Sequence, residues 1–354
     1  MVEFLQNILP YISGLYTLPW IVVGFAMTLF FARFFGRDTI DKVMKKIGLI
    51  LLYFFIPALL FRIFINIDFG QNEIIFSIVV LLIMFFMYLI AYFCARYYAT
   101  KRNFNQQKRQ HFVKTVLTNQ GRSSAFIGGA LLAFTWKVEA AIYIALVGIA
   151  LFAVIPAVLS HMHKKESKKN EKQHIHALPW HLKLFPWYLL FFVVSAIVLH
   201  AGMGITTRDF GVSLETIFIF FTSLTIPAAL YYVGSSIHPR DLSLTELKKL
   251  VDRKQSTPKG DHWSWVRVMF FVTVILTPAL TALIFTPLFF LGIINNSWYA
   301  VIIINSFLPV TSTNMFLLPY GIDKKSTAHI ITFTTIFCVP IIYLLISVFA
   351  IYIP

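Results

Sequence analysis

Apolar runs close to the roughly 20 residues that a helix needs to cross a bilayer recur along the whole chain. They predict ten spans, at approximately 15–35, 47–66, 74–96, 111–136, 138–160, 184–202, 212–236, 264–291, 298–321 and 326–353. Short alternating strands, the signature of a membrane barrel, are absent. The pattern therefore predicts an all-α polytopic membrane protein.

Composition sharpens this. The 354 residues are 58% hydrophobic and 13% charged, with 37 Phe, whereas soluble domains carry about 25% charged residues. Such a chain cannot cover a water-facing surface. The N-terminal MVEFLQNILPY has no basic n-region and no small-residue cleavage site, so no removable signal peptide is expected. Cys94 and Cys338 both sit in apolar spans and give no disulfide or metal signal.

The net charge of +15 would suggest nucleic acid if it were spread over a soluble surface. Instead, 26 of the 30 Lys and Arg lie in alternate connections: Arg33 to Lys46 after the first span, Arg96 to Lys114 after the third, and six lysines after the fifth. Arg240 to Arg267 follow the seventh span, and Lys324 and Lys325 the ninth. The positive-inside rule makes these connections cytoplasmic and puts both termini outside the cell, in a multi-pass plasma-membrane protein. The basic loops meet anionic inner-leaflet lipid, and no nucleic-acid partner is implied. His161, His163, His174 and His176 lie in a lysine-diluted stretch that reads as a soluble linker, so no metal site is expected there.

Prolines are rare inside spans unless something tolerates the break, and here they recur in matching places. Leu18-Pro19-Trp20 opens the first span and Phe185-Pro186-Trp187 the sixth. Pro57 in the second span matches Pro227 in the seventh, and Pro156 in the fifth matches Pro340 in the tenth. The offsets are 167, 170 and 184 residues. Residues 1–160 and 184–354 then form two five-span repeats joined by a basic linker, 161–183. An odd span number gives the repeats opposite orientations, an architecture of transporters with a mid-membrane site between discontinuous helices.

The fourth span of each half carries the candidate chemistry. One break is Asn119-Gln120-Gly121, followed by Arg122, Ser123 and Ser124. The other is Phe307-Leu308-Pro309, followed by Val310, Thr311, Ser312, Thr313 and Asn314. Both fall ten or eleven residues into their spans, near mid-depth at ~1.5 Å rise per residue. Half-helix N-termini beginning there would attract an anion, with Ser and Thr as caps and Pro309 suited to a first turn. Arg122 adds a full charge and a fork that fits a carboxylate. The bland alternatives are a guanidinium neutralised by backbone carbonyls or one that snorkels. No Asp or Glu lies in any span interior; Glu139 and Glu215 stand at outer edges. Thr311, Ser312, Thr313, Asn305 and Asn314 would also serve as plain interhelical hydrogen-bonding residues.

Arg122-Ser123-Ser124-Ala125-Phe126-Ile127-Gly128 resembles the fourth-span signature of the auxin efflux carrier family of PIN-like membrane transport proteins. Ile56-Pro57-Ala58-Leu59-Leu60-Phe61 resembles that family's second span. Pro227 to Ile237 resembles its seventh, and Leu308-Pro309 to Gly321 its ninth. The resemblance implies two inverted five-span repeats with broken, crossing fourth and ninth helices. It also implies a carrier of small organic anions, and the short central linker is similar to the compact prokaryotic members. The family usually has Asn where this chain has Ser124, and a Leu-Pro step where it has Gly129-Ala130.

These features together predict an alternating-access carrier of a small carboxylate, working by rocking or elevator motion and without cofactor or metal. The predicted substrate site is Asn119, Gly121, Arg122, Ser123, Ser124, Pro309 and Thr311–Asn314. A non-transporting ligand sensor and a Na⁺-coupled symporter of the related bile-acid carrier type are the alternatives. An enzyme is not expected, because His111, His200 and His329 are scattered. Substrate identity, direction, coupling ion and homodimerisation are left open.

Overall fold

A computed structural model describes residues 2–9, 17, 19–68, 70–123, 136–167, 180–235, 237, 243–251, 262–311, 314, 317–318 and 320–352. Among these residues the fold is all-α, and the single β-type contact is an isolated bridge between Arg122 and Val310. The helices are α1 (Val2–Ile8), α2 (Trp20–Phe35), α3 (Arg37–Phe64), α4 (Gln71–Lys101) and α5 (Gln106–Thr118). They continue as α6 (137–167), α7 (Trp180–Met203), α8 (Val212–Ser235), α9 (Leu244–Val251), α10 (His262–Phe290), α11 (Asn296–Ser306) and α12 (Lys324–Tyr352).

Five of them, α3, α4, α8, α10 and α12, are long and apolar enough to cross a membrane. Their outer faces carry the exposed apolar side chains that water would not tolerate in such number. Phe85, Phe86, Leu283, Ile284, Leu344 and Ile351 all point outward, while Thr, Ser, Asn and Arg side chains are collected inside. That inversion of the soluble pattern is what a lipid surround favours.

Three helices share one local irregularity, and the sequence explains it. In α3, Ile56 N–H reaches back five residues to Leu51, and Pro57 follows. In α6, Ile155 reaches Ala150, and Pro156 follows. In α10, Thr277 reaches Val272, and Pro278 follows. A proline has no N–H and its ring crowds the preceding turn, so the helix widens to a π turn just before it. Each widened turn leaves a carbonyl whose next donor would be the proline. In α10 that carbonyl belongs to Thr273.

The tightest helix crossing joins α2 to α8. A Cβ added to Gly24 would overlap the Tyr231 backbone carbonyl, and one added to Gly234 would overlap that of Ile21. Small residues let two backbones touch, which is how helices associate where lipid removes the hydrophobic drive. The α3–α7 pair also packs closely, and Arg62 locks α3 to α8: its Nη1 donates to Ile219 O at 2.9 Å, Thr222 Oγ1 at 2.7 Å and Ser223 Oγ at 3.1 Å. Those acceptors stand at the break between the two segments of α8, Val212–Ser223 and Thr225–Ser235. No role for Arg62 is legible in the sequence; here it caps a helix end.

Two expected boundaries differ. The basic stretch after the first span is not a loop, because α3 starts at Arg37 right after Gly36, whose φ of 77° makes the turn. Lys114, counted with a polar connection, is 2% exposed on α5, with Nζ 3.2 Å from Tyr320 O. A long aliphatic stem lets a lysine sit inside when a carbonyl receives its head. Most of the expected linker and residues Ser124, Ser312 and Thr313 lie outside the described residues.

Candidate functional site

Two chain breaks meet inside the protein. Helix α5 ends at Thr118 and α11 at Ser306, and non-helical backbone follows each. Ser123 N–H donates to Pro309 O at 2.8 Å, and Thr311 N–H donates to Gly121 O at 2.9 Å. Arg122 and Val310 thus face each other as a minimal antiparallel pair. Pro309 cannot continue a helix, and Gly121 permits the approach. A Cβ on Gly121 would overlap the Leu151 side chain and come within 2.9 Å of Asn314 Oδ1. Neighbouring helices hold the junction. Asn119 Nδ2 donates to Thr327 Oγ1 at 3.1 Å on α12, and Val310 N–H donates to Thr334 Oγ1 at 3.0 Å on the same helix.

Arg122 is 2% exposed. Its Nη1 donates to Leu308 O at 3.0 Å and its Nη2 to Thr273 O at 2.9 Å. Both acceptors are carbonyls that the backbone leaves over: one just past the end of α11, the other the π-turn carbonyl that Pro278 cannot serve. Part of the bland reading is therefore present, since backbone carbonyls do receive this guanidinium. They take only part of it. Nε is buried without a partner among the described residues, and a guanidinium has five N–H groups. No described carboxylate pairs with it. The ionisable side chains that act on it electrostatically are Cys338, Tyr143 and Tyr88.

The polar atoms around Arg122 share its condition. Asn119 Oδ1, Gln120 Oε1, Ser123 Oγ, Asn305 Oδ1 and both side-chain atoms of Asn314 are buried and unpartnered among the described residues. Each such group costs ~1–3 kcal/mol when left dry. Native interiors keep them to a few per 100 residues, so six among the described residues of two short segments and one helix end are a marked concentration. The geometry offers one buried positive charge, amide oxygens and nitrogens, and a hydroxyl.

Of the residues the sequence singled out, Asn119, Gly121, Arg122, Ser123, Pro309, Thr311 and Asn314 come together. Ser124, Ser312 and Thr313 lie outside the described residues, and Pro309 does not open a first helical turn as expected: Pro309 to Thr311 are non-helical and pair with Gly121 to Ser123. Three participants were not assigned a site role: Gln120, whose Nε2 is 3.5 Å from Thr273 Oγ1, Thr273 itself, and Asn305. Pro278 alone does not signal Thr273, because a proline ordinarily orphans the carbonyl four residues back, here Val274, and the π turn shifts the unserved carbonyl to Thr273.

A cavity of about 680 Å³ between α4, α5 and α6 approaches this place from the basic end of the bundle. Arg96, Arg109 and His161 stand on its wall, and it reaches Leu117, two residues before Asn119. No protein-family model matches the chain, and no curated protein is significantly similar to it.

Proposed function

We propose that this protein is a secondary carrier of a small organic anion, bound at the junction of the two broken segments. One observation carries the reading: among the described residues, Arg122 is buried with no carboxylate partner, amid polar atoms that also lack one. A buried, unpaired charge is strongly destabilising, and inside a membrane protein such a group is a functional site by default. A carboxylate entering the junction would supply the missing charge and accept from Nε–H and the remaining guanidinium donors. Charge-assisted hydrogen bonds of this type are about twice as strong as neutral ones.

Repeat symmetry supports an alternating-access mechanism. A two-fold axis exchanging spans 1–5 with 6–10 turns a contact of spans 1 and 7 into one of spans 6 and 2, and α2–α8 and α3–α7 both pack closely. The same axis would bring the fourth and ninth spans together antiparallel, as the Arg122–Val310 bridge does. Their offset of 188 residues is close to the 184 of the Pro156–Pro340 pair in the next spans. The resemblance of the Arg122–Gly128 and Pro309–Gly321 stretches to the auxin efflux carrier family agrees with this reading. In the proposed ten-span topology the cavity ending at Leu117 is the cytoplasmic approach. An inside-negative potential would drive an anion outward with ~2.3 kcal/mol per charge per 100 mV.

The unpartnered side-chain oxygens favour one second reading, a symporter in which Na⁺ enters with the anion. Proteoliposomes test both. Efflux of labelled mono- and dicarboxylates should require the protein and respond to membrane potential, and sodium should change the rate only under the second reading. Tight carboxylate binding with no flux would instead leave a ligand sensor.

A further inference from the structure

A second cavity, of about 490 Å³, opens at the basic end of the bundle between the last turns of α4 and the first turns of α10. It is separate from the junction and from the cavity that leads toward it. Its walls divide by chemistry. Arg102 and Arg267 stand at the end of the bundle, with Tyr98 beneath the Arg102 guanidinium at 5.5 Å. Deeper, the lining is Cys94, Phe270 and Phe271. From Arg102 to Cys94 is eight residues of helix, about 12 Å along the axis. The side of the groove is open to the surround of the helices, since Tyr97 is 70% and Phe271 52% exposed.

Arg267 is not simply a solvated surface charge: its Nε is buried and has no partner among the described residues, and the described lining contains no Asp or Glu to pair with it or with Arg102. The short helix α9 brings Leu250 into the same lining and sets Lys249 over the Trp263 ring at 5.9 Å. A ligand that fits must be anionic at one end and apolar for at least the following 12 Å or so, and must enter sideways from between helices.

We infer that this groove is a binding site for an anionic phospholipid, its phosphate held by Arg102 and Arg267 and the start of an acyl chain laid along Cys94, Phe270 and Phe271. Arginine presents a planar fork that matches phosphate oxygens, and basic pockets between membrane helices are suited to acidic head groups. A soluble phosphate would leave the apolar lining of Cys94, Phe270 and Phe271 unused. A zwitterionic lipid would bring a choline cation against two arginines. The site would anchor α4 to α10 at the leaflet that carries the negative lipid.

Native mass spectrometry of the detergent-solubilised full chain, titrated with phosphatidylglycerol and phosphatidylcholine of identical acyl chains, tests this. At about 1 kcal/mol per basic residue, two arginines should give the acidic lipid an advantage of about 30-fold. Arg102→Gln with Arg267→Gln should remove it, whereas Arg96→Gln with Arg109→Gln in the neighbouring cavity should not. Arg102 is exposed, so Arg102→Gln alone should fold and should lose a factor of roughly five. An unchanged preference in the Arg102→Gln and double variants would assign lipid selectivity to the other basic segments and overturn the proposal. Displacement of the lipid by millimolar inorganic phosphate at constant ionic strength would overturn it too, marking a site for a small phosphate.

Discussion

Two places bring distant parts of the chain into backbone contact, and they do so in opposite ways. At the α2–α8 crossing, Gly24 and Gly234 let two intact helices touch. Gly24 lies inside α2 and Gly234 in the last turn of α8, whose end is capped at Ser235 O by Arg37 Nη2 at 2.8 Å. At the Arg122–Val310 junction, both helices stop, two residues pair like strands, and polar side chains are left unserved. Non-helical backbone at membrane depth is tolerated only where protein buries it or where it lines a cavity. The first contact needs nothing further to be stable. Under the proposed function, the second is completed by an entering anion. Stability and recognition are thus assigned to different contacts, and substitutions should separate them.

The largest effect belongs to the crossing. Gly24→Leu or Gly234→Leu should force the helices apart and cost at least about 3 kcal/mol, since close-packed interfaces cannot absorb a side chain against backbone. Thermal unfolding in detergent should show a large drop in midpoint or loss of the monodisperse peak. A variant that melts like the parent would mean that the crossing is not a stability element.

Arg122 comes next, and its partners change what is expected of it. Removal to Ala would strand the Leu308 and Thr273 carbonyls, so some stability should go along with anion affinity. Arg122→Lys keeps the charge but not the fork, and should weaken carboxylate binding by about 1.5–3 kcal/mol with a smaller loss of stability. If lysine binds the anion as well as arginine does, the fork is not what recognises the ligand.

Gly121→Ala should act on binding more than on folding. The new methyl group would press the flexible end of Leu151 and crowd Asn314. A loss of about tenfold in affinity, 1.4 kcal/mol, is expected, with much of it recovered by adding Leu151→Ala. Failure of that second substitution to rescue would place the effect on the Asn314 side or on the backbone. The smallest effect should come from Asn314→Ala, about 0.5–1.5 kcal/mol in affinity for one neutral hydrogen-bonding group. Its melting temperature should be nearly unchanged or higher, because two unpartnered buried atoms are removed with the amide.

Much of this was legible in the residues, for identifiable reasons. Gly121 and Pro309 announce helix breaks because one cannot hold a helix strongly and the other cannot donate. A charged Arg122 in an apolar run announces a costly group. What the sequence could not show was who receives the guanidinium. Thr273 lies 151 residues away, and its availability depends on a π turn whose cause, Pro278, looks locally like any other span proline. Arg62 and Lys114 were equally opaque. Arg62, which caps a helix end, and Arg122, proposed to receive a ligand, have the same letter, and only the partners around them tell the two apart.

The central claim is that Arg122 awaits a carboxylate, and ligand binding to Arg122→Gln against the parent tests it most directly. Purified protein should be titrated with a series of small mono- and dicarboxylates and their neutral amide counterparts, with affinity read by calorimetry. The parent should bind at least one carboxylate and discriminate against its amide, and Arg122→Gln should lose that discrimination while remaining monodisperse. Carboxylate binding of undiminished strength and selectivity in Arg122→Gln would contradict it and leave Arg122 as a cap for the Leu308 and Thr273 carbonyls.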